Sequence, residues 1–373
     1  MSWLLLLLLA GPASAHDGPP EGLSPFVVDG ELTGGGEATG VILVEDGVPT
    51  WACEDAFQGT PSHWFLQPDG DVLATSPGGA FVSEDGGCTW SAHADLDARN
   101  WFEAARDGDT LYLVSSTPGS ANRLVVSEDG GETFAETGVS IDDELLRGVA
   151  TLDGVVWVLG SRTSDYAPTL RRWDGALSEP LVFEGWRDGR LLLAEDDALW
   201  LSMVSPTGRV LLLRQQPDLS AMGTEFAEFF ATVTAAVRHD DDLLVTTLGG
   251  QLWKGDAGGF AQVEGPALSC LSWIGDELWG CGTPPDDAVF LRSADGQAWT
   301  PVLDFDDVQP RACPDDSDYA AECPAAWERV LTYVPREAGD DDDSAGPAPS
   351  PCEGCGGGQA WLLLAAVGLR RRR

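Results

Sequence analysis

Short apolar runs recur along most of this chain, and aspartate and glycine bound each of them. Examples lie at residues 110–114, 155–158 and 198–201. Short runs rich in Val, Leu, Tyr and Trp are typical of β-strands, and Asp-Gly pairs are typical of the tight turns between strands. The pattern therefore predicts an all-β protein built from hairpins.

One turn sequence occurs twice in nearly identical form, at residues 82–90 and 126–134. It reads Val-Ser-Glu-Asp-Gly-Gly, followed by Cys-Thr-Trp or Glu-Thr-Phe. Altered copies lie at 44–51 and 292–299, and three weaker candidates fill the gap between them. The aspartates of these copies follow one another at the period of a four-stranded propeller blade, so seven copies predict seven blades. They are Asp46, Asp85, Asp129, Asp174, Asp218, Asp256 and Asp295.

Turn chemistry explains the motif. The aspartate accepts hydrogen bonds from backbone amides two residues on, the glycines adopt the positive φ of a tight turn, and the final aromatic residue anchors the next strand. The spacing does not match a calcium loop, so a structural role is favoured over direct ligand binding. The residues given this role are Asp46, Asp85, Gly87, Thr89, Trp90, Asp129, Gly131, Thr133, Phe134, Asp295 and Trp299.

A second series of turns has the same period and indicates how the ring closes. Each of the later six motif copies has a turn of this series upstream, but the copy at Asp46 has none. The missing strand is therefore predicted to come from the other end of the chain, at residues 326–334, because propellers close with both termini. The upstream turns lie at 69–70, 107–108, 153–154, 196–197, 241–242 and 275–276.

The Ser-x-Asp-x-Gly-x-Thr-aromatic pattern at 83–90 and 127–134 resembles the Asp-box, or bacterial neuraminidase repeat, of sialidases and sortilin-like receptors. The resemblance extends over roughly residues 38 to 335 and implies a β-propeller. Together with the seven motif copies and the turns, it leads us to expect a seven-bladed β-propeller closed by N- and C-terminal strands. It does not imply a reaction, because the same fold carries enzymes, receptors and assembly factors.

The N-terminal region indicates export. Residues 1–15 combine a leucine-rich run with a final Ala-Ser-Ala, which is typical of a cleaved signal peptide. We assign residues 16–37 to a flexible N-terminal segment and 38–336 to the propeller. Residues 337–351 hold four consecutive aspartates and then a Pro-rich stretch, which predicts a disordered stalk.

The C-terminal tail, residues 352–373, joins a Cys-Gly-rich motif to a short apolar run and an arginine cluster. The apolar run is shorter than the roughly 17 to 25 residues that span a bilayer. The layout resembles the cysteine-containing sorting tails of myxobacterial surface proteins, which implies that Cys352 or Cys355 is the processing and anchoring position. A degenerate membrane anchor or a Cys-x-x-Cys metal site is the alternative. Any contact with a membrane is expected through this tail alone.

Composition restricts the partners. The chain has 61 acidic and 21 basic residues and a formal net charge of −40. This charge disfavours nucleic acid as a partner and keeps an exported protein soluble, and we expect a monomer.

Six cysteines lie in the propeller, and an even number in an exported chain predicts disulfides. Cys270 and Cys281 are symmetric about the turn at 275–276, so they face each other across the hairpin within bonding distance. The other four have no such geometric argument. The expected pairs are Cys313 with Cys323, which bracket an acidic loop, and Cys53 with Cys88 by elimination.

Catalytic patterns are scarce. The four histidines are scattered, and the arginine motif of sialidases is absent. We therefore predict no catalytic residue, cofactor or metal, and interpret the protein as a surface-anchored binding or structural module for a protein or glycan ligand. The alternative is a secreted glycoside hydrolase, sialidase-like or with two carboxylates.

Overall fold

Seven antiparallel meanders of four strands follow one another along the chain in the computed structural model, which describes residues 22–37, 39–57, 60–283 and 288–332. Within each meander the strands pair in the order of the sequence. The predicted seven-bladed β-propeller is therefore confirmed.

The strands are numbered β1 to β29 in chain order. Blade 1 contains β1 Gly22–Val28, β2 Glu31–Glu37, β3 Gly40–Glu45 and β4 Val48–Cys53, and blade 2 contains β5 His63–Leu66, β6 Val72–Ser76, β7 Gly79–Ser83 and β8 Ser91–Ala92. Blade 3 contains β9 Trp101–Asp107, β10 Thr110–Ser115, β11 Asn122–Ser127 and β12 Ala135–Ile141, and blade 4 contains β13 Glu144–Leu152, β14 Val155–Arg162, β15 Pro168–Trp173 and β16 Leu181–Val182. Blade 5 contains β17 Arg187–Glu195, β18 Ala198–Val204, β19 Val210–Gln215 and β20 Thr224–Phe229, and blade 6 contains β21 Val233–His239, β22 Asp242–Thr247, β23 Leu252–Asp256 and β24 Gly259–Gln262. Blade 7 contains β25 Leu268–Ile274, β26 Glu277–Gly282, β27 Ala288–Ser293 and β28 Thr300–Asp304; then come β29 Gln309–Pro310 and helix α1 Asp318–Val330, and short 3-10 helices occupy Glu54–Phe57 and Phe305–Asp307.

The first strand of each blade lies beside the first strand of the next, from β1 round to β25 and back to β1. These innermost strands surround a central channel. Each of them begins at one face of the ring, the start face, and ends at a tight turn on the other, the turn face. The start face therefore carries the connections between blades and the loops between second and third strands.

The hydrophobic core lies mainly between neighbouring blades. One cluster joins blades 4 and 5 through Trp157, Leu170 and Leu201, and another joins blades 5 and 6 through Trp200 and its neighbours. Burial of such side chains contributes roughly 1.5 to 3 kcal/mol each. The strand tryptophans thus stabilise the contacts between blades.

All seven predicted aspartates lie where the third strand of a blade turns into the fourth, on the turn face. Asp46, for example, lies between β3 and β4, and Asp256 ends β23. The second series of turns joins first and second strands at the same face. The period read from the sequence therefore assigns the strands of six blades correctly.

The two strongest copies form the same hydrogen-bond network. Asp129 accepts bonds from the Ser127 hydroxyl (2.7 Å), the Thr133 amide (2.9 Å) and the Thr133 hydroxyl (2.5 Å). Asp85 accepts the equivalent bonds from Ser83 and Thr89. Burial alone would raise the pKa of Asp129, but these donors outweigh it and lower the pKa to about 2. This stabilising contribution is therefore present above the ordinary pKa of aspartate and is lost as the pH falls toward 2.

The first blade corrects one prediction. Residues 22–37, which we assigned to a flexible segment, form β1 and β2, and Asp29-Gly30 between them supplies the seventh turn of the second series, with φ of +52° and +82°. The glycine run that suggested flexibility is required by packing. A Cβ on Gly36 would lie 2.1 Å from the Trp64 ring, and one on Gly35 would lie 2.2 Å from Phe290.

The closing strand predicted at 326–334 is also wrong, because residues 318–330 form helix α1. The helix begins at Ser317, whose hydroxyl accepts a bond from the Ala320 amide (3.1 Å), and it buries Cys323, Ala326 and Val330 on one side. We predicted that this segment supplies the innermost strand of blade 1, but β1 already occupies that position. A C-terminal strand does close the ring, but it is β29, which runs parallel to the outer edge of β4.

We call residues 305–332 the C-terminal clasp. Its core side chains, including Phe305 and Tyr319, pack in one cluster with Trp51 of blade 1. The Arg311 guanidinium donates to Glu45 (2.7 Å), and the Tyr319 amide donates to the Cys88 carbonyl of blade 2 (3.1 Å). The clasp therefore joins blades 1 and 2 from outside the ring.

The disulfides confirm one predicted pair and correct two. Cys270 and Cys281 are bonded across the hairpin, with Cα atoms 5.0 Å apart. The other bridges are Cys53 to Cys323 and Cys88 to Cys313. Our predicted pairs, Cys313 with Cys323 and Cys53 with Cys88, are wrong because the clasp brings each C-terminal cysteine against a different N-terminal blade.

Several predictions lie outside the described residues. They concern the signal peptide, residues 16–21, the stalk at 337–351 and the tail with Cys352 and Cys355. Among the helices of the described ranges, none has the length and apolar character needed to cross a membrane.

Candidate functional site

The innermost strands share an irregularity near the start face. In six of the seven, the pairing with the second strand shifts by one residue close to the point where the strand begins. Such a bulge places one residue outside the register of the strand pair and re-aims its side chain, and bulges are frequent beside binding sites. The bulge residues form a ring at the start-face end of the channel. They are Leu23, Phe102, Arg147, Asp188, Thr234 and Ser269.

Charged side chains occupy part of this channel end. Arg147 of β13 and Asp188 of β17 are neighbours, with Nη1 and Oδ1 3.8 Å apart, and they are 42% and 63% exposed. In blades 2 and 3, His63 Nε2 lies 3.6 Å from Glu103 Oε2. A pair as long and as exposed as Arg147 and Asp188 contributes little to stability, so these two side chains keep most of their capacity to bind a ligand.

Arg187 and Arg190 add two positive charges to β17. Both are exposed, and neither has a carboxylate within 4.0 Å. Arg190 lies within β17, which pairs with β18 along its outer edge and lies between β13 and β21. The exposed side chain of Arg190 therefore faces the channel. Within the described residues, Arg106, Arg187 and Arg190 are the only arginine or lysine side chains without such a partner, and all three lie on innermost strands. The paired residues are Arg99, Arg123, Arg147, Arg162, Arg171, Arg172, Arg209, Arg214, Arg238, Lys254, Arg292, Arg311 and Arg329.

Arginines elsewhere have structural roles. Arg238 donates to both oxygens of Glu195, at 2.9 and 2.8 Å, and its guanidinium lies 5.4 Å from the centre of the Trp200 ring. Burial alone would raise the pKa of Glu195, but the hydrogen bonds from Arg238 and Trp200 hold it below its usual value. Arg171 donates one hydrogen bond to Glu144 Oε1, at 2.7 Å. The unpaired channel arginines are therefore a departure from the rest of the molecule.

The start face also carries exposed aromatic and aliphatic side chains on its loops. A cavity of about 490 Å³ lies between blades 3 and 4, and Tyr166 on its rim is 61% exposed and has a φ of +60°. A positive φ at a residue other than glycine stores strain and is frequent at binding sites. Phe230 and Leu248 are exposed on the same face between blades 5 and 6.

A larger cavity, of about 1040 Å³, opens at the turn-face mouth of the channel. The ends of β1, β5, β9 and β25 line it, and they contribute Arg106, Trp273 and Phe65. Burial in this concave mouth lowers the pKa of Arg106, while the nearby charge of Asp109 opposes the shift. The two mouths of the channel are thus chemically different.

The sequence-predicted residues lie away from the channel. The motif aspartates lie between the two outer strands of their blades, and Trp90, Phe134 and Trp299 pack into the hydrophobic clusters. The structural role of these residues stays a prediction. No group of three or more metal-binding side chains is found within the described ranges.

Sequence reasoning missed the channel arginines. Arg147, Arg187 and Arg190 stand in strands that read as ordinary propeller strands, and the bulges that re-aim residues there have no local sequence signal. The one sequence signal for these arginines was a charged residue near the start of the first strand of a blade. Recognising it requires knowing which strand is innermost.

Comparisons with known proteins show the fold and no family. No family model and no curated protein matches this chain. The extracellular domain of a putative one-component system from B. thetaiotaomicron matches with a TM-score of 0.50 and 15% identity, over 74% of this chain and 38% of that one. Virginiamycin B lyase from Staphylococcus aureus, in a catalytically inactive form with quinupristin, matches with a TM-score of 0.50 and 13% identity, over 72% of this chain and 93% of that one. At these identities the likeness shows the β-propeller fold alone.

Proposed function

We propose that this protein is an exported β-propeller that binds an anionic ligand at the start-face mouth of its channel. The observation that carries the proposal is the placement of Arg187 and Arg190, exposed and without carboxylate partners, on the innermost strand next to Arg147. Guanidinium groups bind carboxylates and phosphates through paired hydrogen bonds.

The charge of the whole chain makes this placement informative. Acidic residues outnumber basic ones by 61 to 21, so an arginine at a random surface position readily finds a carboxylate. Within β13 and β17, Arg147, Arg187 and Arg190 outnumber Asp188, the exposed carboxylate between them, so together they attract an anion that enters the mouth. Because the outer surface repels anions at long range, we expect recognition to depend on short-range contacts within the mouth.

Replacing Arg147, Arg187 and Arg190 together by glutamine is expected to weaken anion binding at least 10-fold. Losing even one charge-assisted hydrogen bond costs about 1.5 to 3 kcal/mol, which corresponds to that factor or more. The probes are inorganic phosphate, citrate, hexaglutamate and oligogalacturonate, and isothermal titration calorimetry measures their binding.

The matched control replaces Arg123, Arg172 and Arg292 by glutamine. These arginines lie on third strands of their blades and pair with carboxylates, so the change in net charge is the same. We expect the control to bind the probes as the wild type does. Equal loss in both triple variants, or no binding of any probe to the wild type, would contradict the proposal.

Export and surface attachment belong to the same proposal. Three disulfides support an oxidising location, and the tail with Cys352 or Cys355 is proposed as the processed anchor. The motif geometry at Ser83, Asp85 and Thr89 supports assigning the turns to the Asp-box repeat.

Processing of the tail predicts that the surface-attached form lacks residues 370–373. The described residues already supply all four strands of every blade, so truncation after Ser350 should release the protein without changing its stability. Intact-mass measurement of the attached protein is the direct check. If the arginine cluster is still present there, a retained anchor replaces the processing proposal.

A further inference from the structure

The turn-face cavity has features of a second binding site, independent of the start-face mouth. Its walls are the ends of four innermost strands from blades 1, 2, 3 and 7, and its volume of about 1040 Å³ falls at the upper end of the range for small-molecule sites. Lining residues from blades 1, 2 and 7 are largely apolar, including Phe26, Phe65 and Ile274. Such a cavity accommodates a small molecule with an apolar face.

Arg106 is the cationic group of this cavity. Its Nη2 atom reaches only two backbone carbonyls at long distances, 3.5 Å to Leu66 and 3.4 Å to Gly130. It has no carboxylate within 4.0 Å, so most of its five N–H donors remain available. An available guanidinium in a concave, partly desolvated site favours a planar anion such as a carboxylate.

Trp273 of β25 forms a rigid aromatic wall of the same cavity. Its indole Nε1 donates to the Arg238 carbonyl at 2.7 Å, and its ring stacks on His239 with centroids 5.7 Å apart and planes 24° apart. The side chain is nevertheless 37% exposed. Because the hydrogen bond and the stacking fix the ring, contact with a ligand costs little side-chain entropy. Trp273 therefore offers a flat surface for the ring of a ligand.

Acidic groups on the rim limit where the anionic end of a ligand can lie. Asp69 and Asp109 both border the cavity, and Asp69 accepts one backbone bond from Asp71 (3.1 Å). These carboxylates repel an anion but accept hydrogen bonds from hydroxyl groups. A ligand carboxylate is thus directed to Arg106, and any hydroxyls to the rim.

We propose that the turn-face cavity binds a ring compound that carries a carboxylate, with the carboxylate on Arg106 and the ring against Trp273. A uronate sugar and an aromatic acid share this chemistry. The rim carboxylates suit the hydroxyl groups of the sugar, so the sugar is expected to bind more tightly.

Binding of glucuronate, benzoate and their neutral counterparts glucose and benzyl alcohol tests the proposal. Saturation-transfer NMR and calorimetry on the full chain should show millimolar or tighter binding of an acid and at least 10-fold weaker binding of its neutral counterpart. Arg106→Gln should weaken acid binding at least 10-fold, and Trp273→Leu should weaken it several-fold. Thermal unfolding of both variants checks that they fold.

Two controls separate this site from the start-face site. In the variant with Arg147, Arg187 and Arg190 replaced, which removes the start-face site, Arg106→Gln should still weaken acid binding at least 10-fold, and Arg123→Gln alone should have no effect. Tighter binding of benzoate than of glucuronate supports the proposal and identifies an aromatic acid as the ligand class. Binding that is no tighter for the acids than for their neutral counterparts, or that Arg106→Gln leaves unchanged, overturns the proposal.

Discussion

Replacing Cys53, Cys88, Cys313 and Cys323 by alanine is expected to lower the free energy of unfolding by roughly 9 kcal/mol. The two bridges connect residues separated by 270 and 225 positions, so each removes much conformational freedom from the unfolded chain. In the loop-entropy treatment, the first bridge contributes about 5 kcal/mol and the second, which closes a shorter additional loop, about 4. Guanidinium unfolding followed by circular dichroism measures the difference.

The hairpin bridge is the matched control. Cys270 and Cys281 are 11 positions apart, so replacing both by alanine should cost only about 3 kcal/mol. We also expect the four-cysteine variant to become sensitive to proteolysis within the clasp, because only packing, hydrogen bonds and ion pairs then hold the short β29 and α1. If both variants lose the same free energy of unfolding, the two long-range bridges do not act by closing the ring.

Stability is expected to fall as the pH rises from about 5 to 9, and Glu54→Gln should abolish most of this fall. The pKa of Glu54 is raised from 4.5 to about 9. Burial is the largest cause and the carboxyls of Glu37 and Asp55 add to it, whereas a backbone hydrogen bond and Arg329 oppose it. Below pH 4.5 both the folded and the unfolded chain hold this proton. Above it only the folded chain does, so stability declines by about 1.4 kcal/mol per pH unit until the folded pKa is passed.

At pH 8, Glu54→Gln should therefore be more stable than the wild type by as much as about 5 kcal/mol. Urea unfolding of both proteins at pH 5, 7 and 8 measures this. The control is Glu128→Gln, which changes an exposed carboxyl and should leave the pH dependence as in the wild type. A wild-type curve that stays flat between pH 5 and 8 would mean that Glu54 is ionised in the folded protein.

The location of Glu54 also explains why sequence reasoning did not identify this buried carboxyl. Glu54 follows β4, the Glu54 amide donates to the Thr39 carbonyl (3.1 Å), and the 3-10 helix that Glu54 begins lies beside α1. Glu37 is buried nearby, where its carboxyl accepts bonds from Thr39 and Trp51. In a chain with 61 acidic residues nothing marks these two as buried, because their burial comes from the clasp and the neighbouring blade.

Local features could be predicted from the sequence. The motif turns at Asp85 and Asp129 set the period and the number of blades, because a tight turn depends only on its own few residues. The Cys270–Cys281 bridge was predictable for the same reason, since a hairpin fixes its own register.

Tertiary structure decided everything that joins distant parts of the chain. Which segment completes blade 1, where the clasp docks and how four cysteines pair all depend on contacts made when the ring closes. The channel arginines became visible only once the innermost strands and their bulges were known. The sequence of one repeat determines its own blade through short-range hydrogen bonds and the alternation of apolar and polar residues along each strand. The closure of the ring and the channel arise from packing between blades, which the sequence of a single repeat does not encode.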